Sequence, residues 1–452
     1  MTTPVRFSRP DHHGLLLGLR APQLAVLSFA AAVAVLVLLS APNTAGLAAA
    51  GLVLSLTAVC VSVRPGGRPV DGWASIALRW YAGGARTWRG APPAVDPPPP
   101  LAGIKFLNVT YTGHPTPIAV VQDTRHGRLT AVLHLTGGAL TLTDPDQAQQ
   151  HLDRWGATLD SLGSVRNVRL TWLHQSGPAC LAEVAPDLDE ADPTDPIWQA
   201  YSELVSTLKP NARTHRSHLA LTVDRNREPL STAVERLIEV TLDLVLRLGA
   251  AGLHAETVLA RPAVVELFAR AFDPESESTV YPWPAATQRR WASYRTDDTE
   301  HATFWLADWP RVAVAGGFLD ELLTHPPEGV TVRFALLAAP VGAGTSMRRI
   351  RAARAGHVAD DELRAQGGML NSMQREQDCE DLVRHEQQLA AGHVEFRHRA
   401  HLTVTARTED TLEQACRALT ARAGTAHLRL TRCHGEQAET FTYTLPVGRG
   451  LD

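Results

Sequence analysis

Two long apolar runs dominate the pattern at the start of the chain. Leu24–Ser40 (LAVLSFAAAVAVLVLLS) and Leu47–Val63 (LAAAGLVLSLTAVCVSV) each hold 17 residues and no charge, with Ala41–Gly46 (APNTAG) between them. A helix of that length is about 25 Å long, the low end of what spans a bilayer. Backbone in hydrocarbon must satisfy its own hydrogen bonds, so helices are expected. The pattern predicts a two-helix transmembrane hairpin.

The period then changes. Val70–Gly90 sets Trp73, Trp80, Tyr81 and Trp88 beside Arg79, Arg86 and Arg89. Tryptophan and arginine together suit a lipid headgroup layer, which predicts an interfacial helix; an ordinary helix packed on the soluble region reads the same way. Ala91–Pro100 (APPAVDPPPP) predicts a stiff, extended spacer and the clearest domain boundary.

Beyond the spacer, period-two stretches predict strands at Ile104–Tyr111, Ile118–Gln122 and Arg128–Leu135, and others around Val168–Trp172, Leu219–Val223 and Leu253–Leu259. Asp144-Pro145 opens a helix through Leu162, Ile197–Leu208 and Pro262–Phe272 predict two more, and Leu230–Leu248 predicts a long one closed by Gly249. Asp273–Glu300 reads as a loop. His301–Trp309 and Thr331–Ala338 then predict strands, followed by a polar helix over Ser346–Ala390 interrupted at Gly367-Gly368. Val394 to Val404 alternates, with Glu395, Arg397, Arg399 and His401 on a polar face. A helix through Leu412–Leu419 precedes last strands at Leu428–Leu430 and Phe441–Tyr443. The expected class is α+β: a transmembrane hairpin, then antiparallel sheets in an order β-α-β-α-β-β, a variant of the ferredoxin-like arrangement. Five segments follow: 1–64 (tail and hairpin), 65–100 (interfacial segment and linker), 101–275 (first soluble module), 276–300 (connecting loop) and 301–452 (second module).

Charge decides orientation. The turn at Ala41–Gly46 is uncharged, whereas Arg20 precedes the first run and Arg64, Arg68, Arg79, Arg86 and Arg89 follow the second. The positive-inside rule puts both termini and the soluble region in the cytoplasm, at the inner face of the plasma membrane. Arg20, Arg64, Arg68, Trp73, Arg79, Trp80 and Tyr81 form the expected membrane-flanking set. With 452 residues there is room for two or three modules, and a net charge of −4 argues against a protein that coats nucleic acid. Cys60, Cys180, Cys379, Cys416 and Cys433 form no CxxC pair, so neither a disulfide framework nor a zinc ribbon is expected.

Candidate chemistry is sparse. Lys105 and Lys209 are the sole lysines, and neither sits in a Gly-Lys-Ser/Thr phosphate loop. Gly342–Ser346 (GAGTS) before a helix offers an anion site or, more simply, a cap. His215 and His218, like His398 and His401, are spaced to point to opposite faces of a strand. No catalytic, cofactor or metal residues are assigned. Arg348, Arg349, Arg351 and Arg354 form a basic cluster that reads as a partner surface or as a solvated helix face.

The order of blocks resembles a known plan. VRPGGRPVDGW and WYAGGARTW after the hairpin are similar to the PrgI-like membrane segment of actinobacterial conjugative elements. ARPAVVELFARAFDP, FWLADWPR and VRFALLAAP resemble one family of actinobacterial integral membrane conjugation proteins. In that family the soluble region is similar to the N-terminal, non-motor domain of the type IV secretion ATPase. The resemblance implies a non-enzymatic subunit of a secretion machine, which docks a separate motor ATPase beside other membrane subunits or copies of itself. The type VII secretion protein EccE has a similar plan and is the alternative, as is a membrane-tethered enzyme.

Overall fold

Among the described residues, thirteen strands make one antiparallel sheet in the computed structural model of the chain. The structure describes residues 21–451 apart from 64–66, 69, 85, 91–95, 113, 115, 138–143, 180–194, 209–211, 315–316 and 367–372. The chain divides into two units: a sheet unit, Gly84–Pro340 with Phe396–Asp452, and a helical unit, Phe7–Gly83 with Val341–Glu395.

The helical unit holds α1 (Ala21–Ser40), α2 (Thr44–Ser62) and α3 (Val70–Ala82). The helix expected over Val70–Gly90 therefore stops early. Gly83 and Gly84 end it, and the β-prone Thr87–Arg89 forms strand β1, which pairs with a later strand of the sheet unit. The division between units thus falls at Gly83/Gly84, upstream of the proline spacer. The far end of that spacer is built into the sheet unit, where Leu101 is buried.

The sheet unit continues with β2 (Ile104–Val109), β3 (Ile118–Asp123), β4 (Arg128–Gly137), α4 (Pro145–Leu162), β5 (Val168–Pro178), α5 (Pro196–Leu208), β6 (Arg213–Asp224), α6 (Leu230–Ala250), β7 (Leu253–Val258) and α7 (Arg261–Phe272). Asp144 caps α4 by accepting from Asp146 N. The helix α6 runs to Ala250, past Gly249; Gly252 is the residue that takes the left-handed turn (φ 76°). Asp273–Glu300, expected as a loop, contains β8 (Ala286–Arg289) and β9 (Tyr294–Thr296). Then follow β10 (Thr299–Asp308), α8 (Asp320–Leu323), β11 (Thr331–Pro340), α9 (Ala343–Gln366), α10 (Met373–Ala390), β12 (Phe396–Ala406), α11 (Glu409–Thr425) and β13 (Arg429–Arg432). The strand expected at Phe441–Tyr443 is a helix, α12 (Gln437–Phe441), and a 3-10 turn, because Ala438, Phe441 and Leu445 recur at helical spacing and are buried.

The sheet order is β1-β8-β9-β10-β12-β11-β5-β6-β4-β3-β2, with β13 also on β10 and β7 also on β4. This order contains the same unit twice. In the first half β4-α4-β5-β6-α6-β7 gives the order β7-β4-β6-β5; in the second β10-α8-β11-β12-α11-β13 gives β13-β10-β12-β11. That is the β-α-β-β-α-β connectivity of the split β-α-β arrangement, rather than the β-α-β-α-β-β order expected. Each half is preceded by a hairpin (β2-β3, β8-β9) and followed by a helix (α7, α12). Equivalent strands β5 and β11 meet antiparallel at the centre, Leu173 opposite Ala335, as a pseudo-two-fold relation requires.

Both sheet faces are covered. On one, α4 and α6 pack over Leu129, Leu219 and Leu221, while α8 and α11 pack over Phe304, Phe334 and Leu402. On the other, α7, α12 and the segment to Leu451 cover Ala119, Val132, Leu173 and Leu337. Burying each such leucine, valine or phenylalanine contributes roughly 1.5–3 kcal/mol.

Candidate functional site: an apolar hairpin and an arginine-bearing helix pair

Helices α1 and α2 pack against each other as a hairpin. Asn43 caps α2, its side chain accepting from Gly46 N, and Gln23 Nε2 donates to Val61 O across the pair (3.3 Å). Small residues, Ala30, Ala34 and Ala50, are buried, while Phe29 (72%), Leu36 (69%), Leu39 (78%), Leu47 (69%) and Leu52 (69%) are exposed.

Among the described residues no helix is long and apolar enough to cross a membrane.

Of the expected membrane-flanking set, Arg20 and Arg64 lie outside the described residues. Trp73, Arg79, Trp80 and Tyr81 share α3. Ile76 and Trp80, one turn apart, are buried; Leu78, Arg79 and Tyr81 are exposed. Arg68 is partly buried just before the helix.

All four arginines of the basic cluster lie on α9 and are exposed. They are not equivalent. Arg354 Nη1 reaches Glu386 Oε2 on α10 at 2.6 Å and ties the two helices together. Arg349 lies 3.9 Å from Glu395, and Arg348 donates to Thr345 Oγ1 (3.3 Å). Gly342 serves the start of α9 through backbone bonds, its carbonyl accepting from Thr345 N and Ser346 N.

The sequence-expected polar face of β12 is not a surface along its whole length. From His401 onward, His401, Thr403 and Thr405 are buried beneath α12 and the segment after it. They join a polar seam that the sequence does not reveal as internal. Thr303 Oγ1 bonds Thr403 Oγ1 (2.9 Å), which bonds Thr444 Oγ1 (3.0 Å). His301 bonds Thr405 through Nδ1 (2.9 Å) and Thr296 through Nε2 (2.7 Å). Gln437 pairs with the Thr303 backbone on both sides, accepting from its N–H and donating to its carbonyl. Burial, then the nearby Arg333 charge, keep His301 neutral, well below the usual histidine range. The alternation of His and Thr in TEHATF and HLTVTA was the available signal, and it reads equally as a solvated face.

The pairs His215/His218 and His398/His401 do split across faces. His215 stacks on His174 and His218 meets His134 at a tilt, while His398 meets Trp309 and His401 meets Tyr443. Burial pushes the Cys416 thiol up to about 12, which leaves it a core side chain and not a nucleophile. Searched against protein-family models and curated proteins, the chain matches none.

Proposed function

We propose that this protein is a membrane-anchored, non-enzymatic subunit of a type IV-like conjugation or secretion apparatus, holding a separate motor ATPase at the cytoplasmic face. One observation carries the anchoring: the α1–α2 hairpin buries alanines and turns Phe29, Leu36, Leu39 and Leu52 outward. Water penalises that surface and hydrocarbon does not. The machine assignment rests on the order of sequence blocks that resemble the conjugation-protein family. The docking role is supported by α9 and α10, a charged helix pair whose exposed arginines suit an acidic partner.

The test is co-purification. Charge reversal at Arg348 and Arg351 (both to Glu) is expected to release the motor ATPase that the wild type co-purifies and to reduce DNA transfer, with membrane insertion unchanged. Reversal at Arg354 also breaks the Glu386 pair and so adds a helix-packing defect. Wild-type transfer and full retention of the ATPase by the Arg348/Arg351 double variant would refute the docking surface. Wild-type transfer after deletion of the gene would refute the machine role.

A further inference from the structure

Arg333 on β11 is enclosed, with 4% of its surface exposed. Nε donates to Thr444 Oγ1 (3.1 Å), Nη1 donates to Ala271 O (2.9 Å), and Cζ lies 4.9 Å from the centre of the Phe441 ring. These partners are all neutral, and Nη2 has no hydrogen-bond partner. Burial alone lowers its pKa, to about 9, so the group is still a cation at neutral pH and no acidic group offsets the loss of water. An enclosed ion without a counter-ion costs several kcal/mol.

A cavity of about 10 Å³ is lined by Arg333 together with Leu173, Gln175, His218, Leu267, Thr444 and Leu445. That is room for one water-sized occupant. Thr444 Oγ1 is already engaged by Arg333 and Thr403. Burial and the neighbouring His134 hold His218 neutral, its pKa lowered to about 3, so it adds no second positive charge. A water would satisfy Nη2 and leave the charge uncompensated. A monatomic anion does both.

We propose that the cavity beside Arg333 binds a halide ion, held by the free Nη2 hydrogens and compensating the enclosed guanidinium. The site is independent of the membrane and docking roles proposed above.

Crystals of the full-length protein grown in sodium bromide, with data collected at the bromine edge, test it. An anomalous peak in the cavity, within hydrogen-bonding reach of Nη2, is expected. In solution, the wild-type unfolding midpoint should be a few degrees higher in sodium chloride than in sodium gluconate at equal ionic strength. Arg333→Met should lose that difference. Leu267→Phe, which keeps the charge and fills the cavity, should lose it too and serves if Arg333→Met does not fold. Water density without an anomalous peak, or equal midpoints in the two salts, overturns the proposal.

Discussion

Arg449 and Asp123 stand 326 residues apart in sequence and 2.7 Å apart in space, Nε against Oδ2. Their side chains are 7% and 2% exposed. Arg449 Nη1 also donates to Pro100 O (2.5 Å), and Arg128 Nη1 donates to Gly448 O (3.1 Å). Together these bonds seat the segment after α12 across one sheet face.

Removing one partner of such a pair strands the other. Arg449→Met is expected to cost roughly 3–5 kcal/mol in urea unfolding of the full-length protein, and Asp123→Asn added to it should recover part of the loss. Burial alone would raise the Asp123 pKa, but the Arg449 bond and charge outweigh it and hold it below 3.8. Its contribution is therefore present above about pH 3.8 and lost as the pH falls below that. A loss under 1 kcal/mol for Arg449→Met would contradict this account.

Acid should weaken the sheet unit before carboxylates titrate. Burial lowers His174 to about 4 and His218 to about 3, and holds His301 well below the usual histidine range. The unfolded chain takes up protons first, so stability is intact above about pH 6.5 and falls steadily below it. At pH 5 His174 and His218 each cost about 2 kcal/mol, and His301 adds to the loss in the same direction. Urea midpoints at pH 7.5 and pH 5 measure it, and Thr or Gln at His218 should flatten part of the slope.

Gly448 has φ 63°, and a Cβ there would lie 2.6 Å from Thr222 Cγ2. Gly448→Ala therefore meets both backbone strain and a clash, and should destabilise by about 1–3 kcal/mol. The added methyl would also lie 2.7 Å from Thr222 Oγ1 and 2.8 Å from its Cβ, so Thr222→Ser should relieve only part of the clash, whereas Gly448→Ala/Thr222→Gly should recover the clash but not the strain.

In the hairpin, two neighbouring positions should behave oppositely. Leu36 is 69% exposed and Ala34 is 3% exposed. Leu36→Arg is expected to cost about 2.5–3.5 kcal/mol of insertion and to shift protein from the membrane to the soluble fraction. Leu36→Phe should be silent. Ala34→Leu should keep the protein in the membrane while separating α1 from α2, read by loss of cross-linking between engineered cysteines on the facing helices. Silence of Leu36→Arg in fractionation would count against lipid contact.

Much of the fold was legible. Period-two runs located β2, β3, β4, β5, β6, β11 and β12, and the Asp144-Pro145 cap located α4, because each signal is local. The α+β class with an antiparallel sheet followed from them. The doubling was not legible, since β4 (RLTAVLHLTG) and β10 (TEHATFWLAD) share a place in the sheet without sharing a sequence. Nor was the burial of His301, Thr303 and Arg333, because a polar face signals solvent until a covering segment arrives from far along the chain. The arginine cluster was found as a composition feature; its division into the paired Arg354 and the outward Arg351 needed α10 beside α9.

The two equivalent strand pairs, β5–β6 and β11–β12, each have helices in the chain between their strands: α5 in one, α9 and α10 in the other. A dimer of identical chains would have to repeat any such insertion on both copies. Two halves within one chain carry no such constraint. One connection can hold a charged helix pair and the other a short apolar-faced helix, while the strands keep a common order.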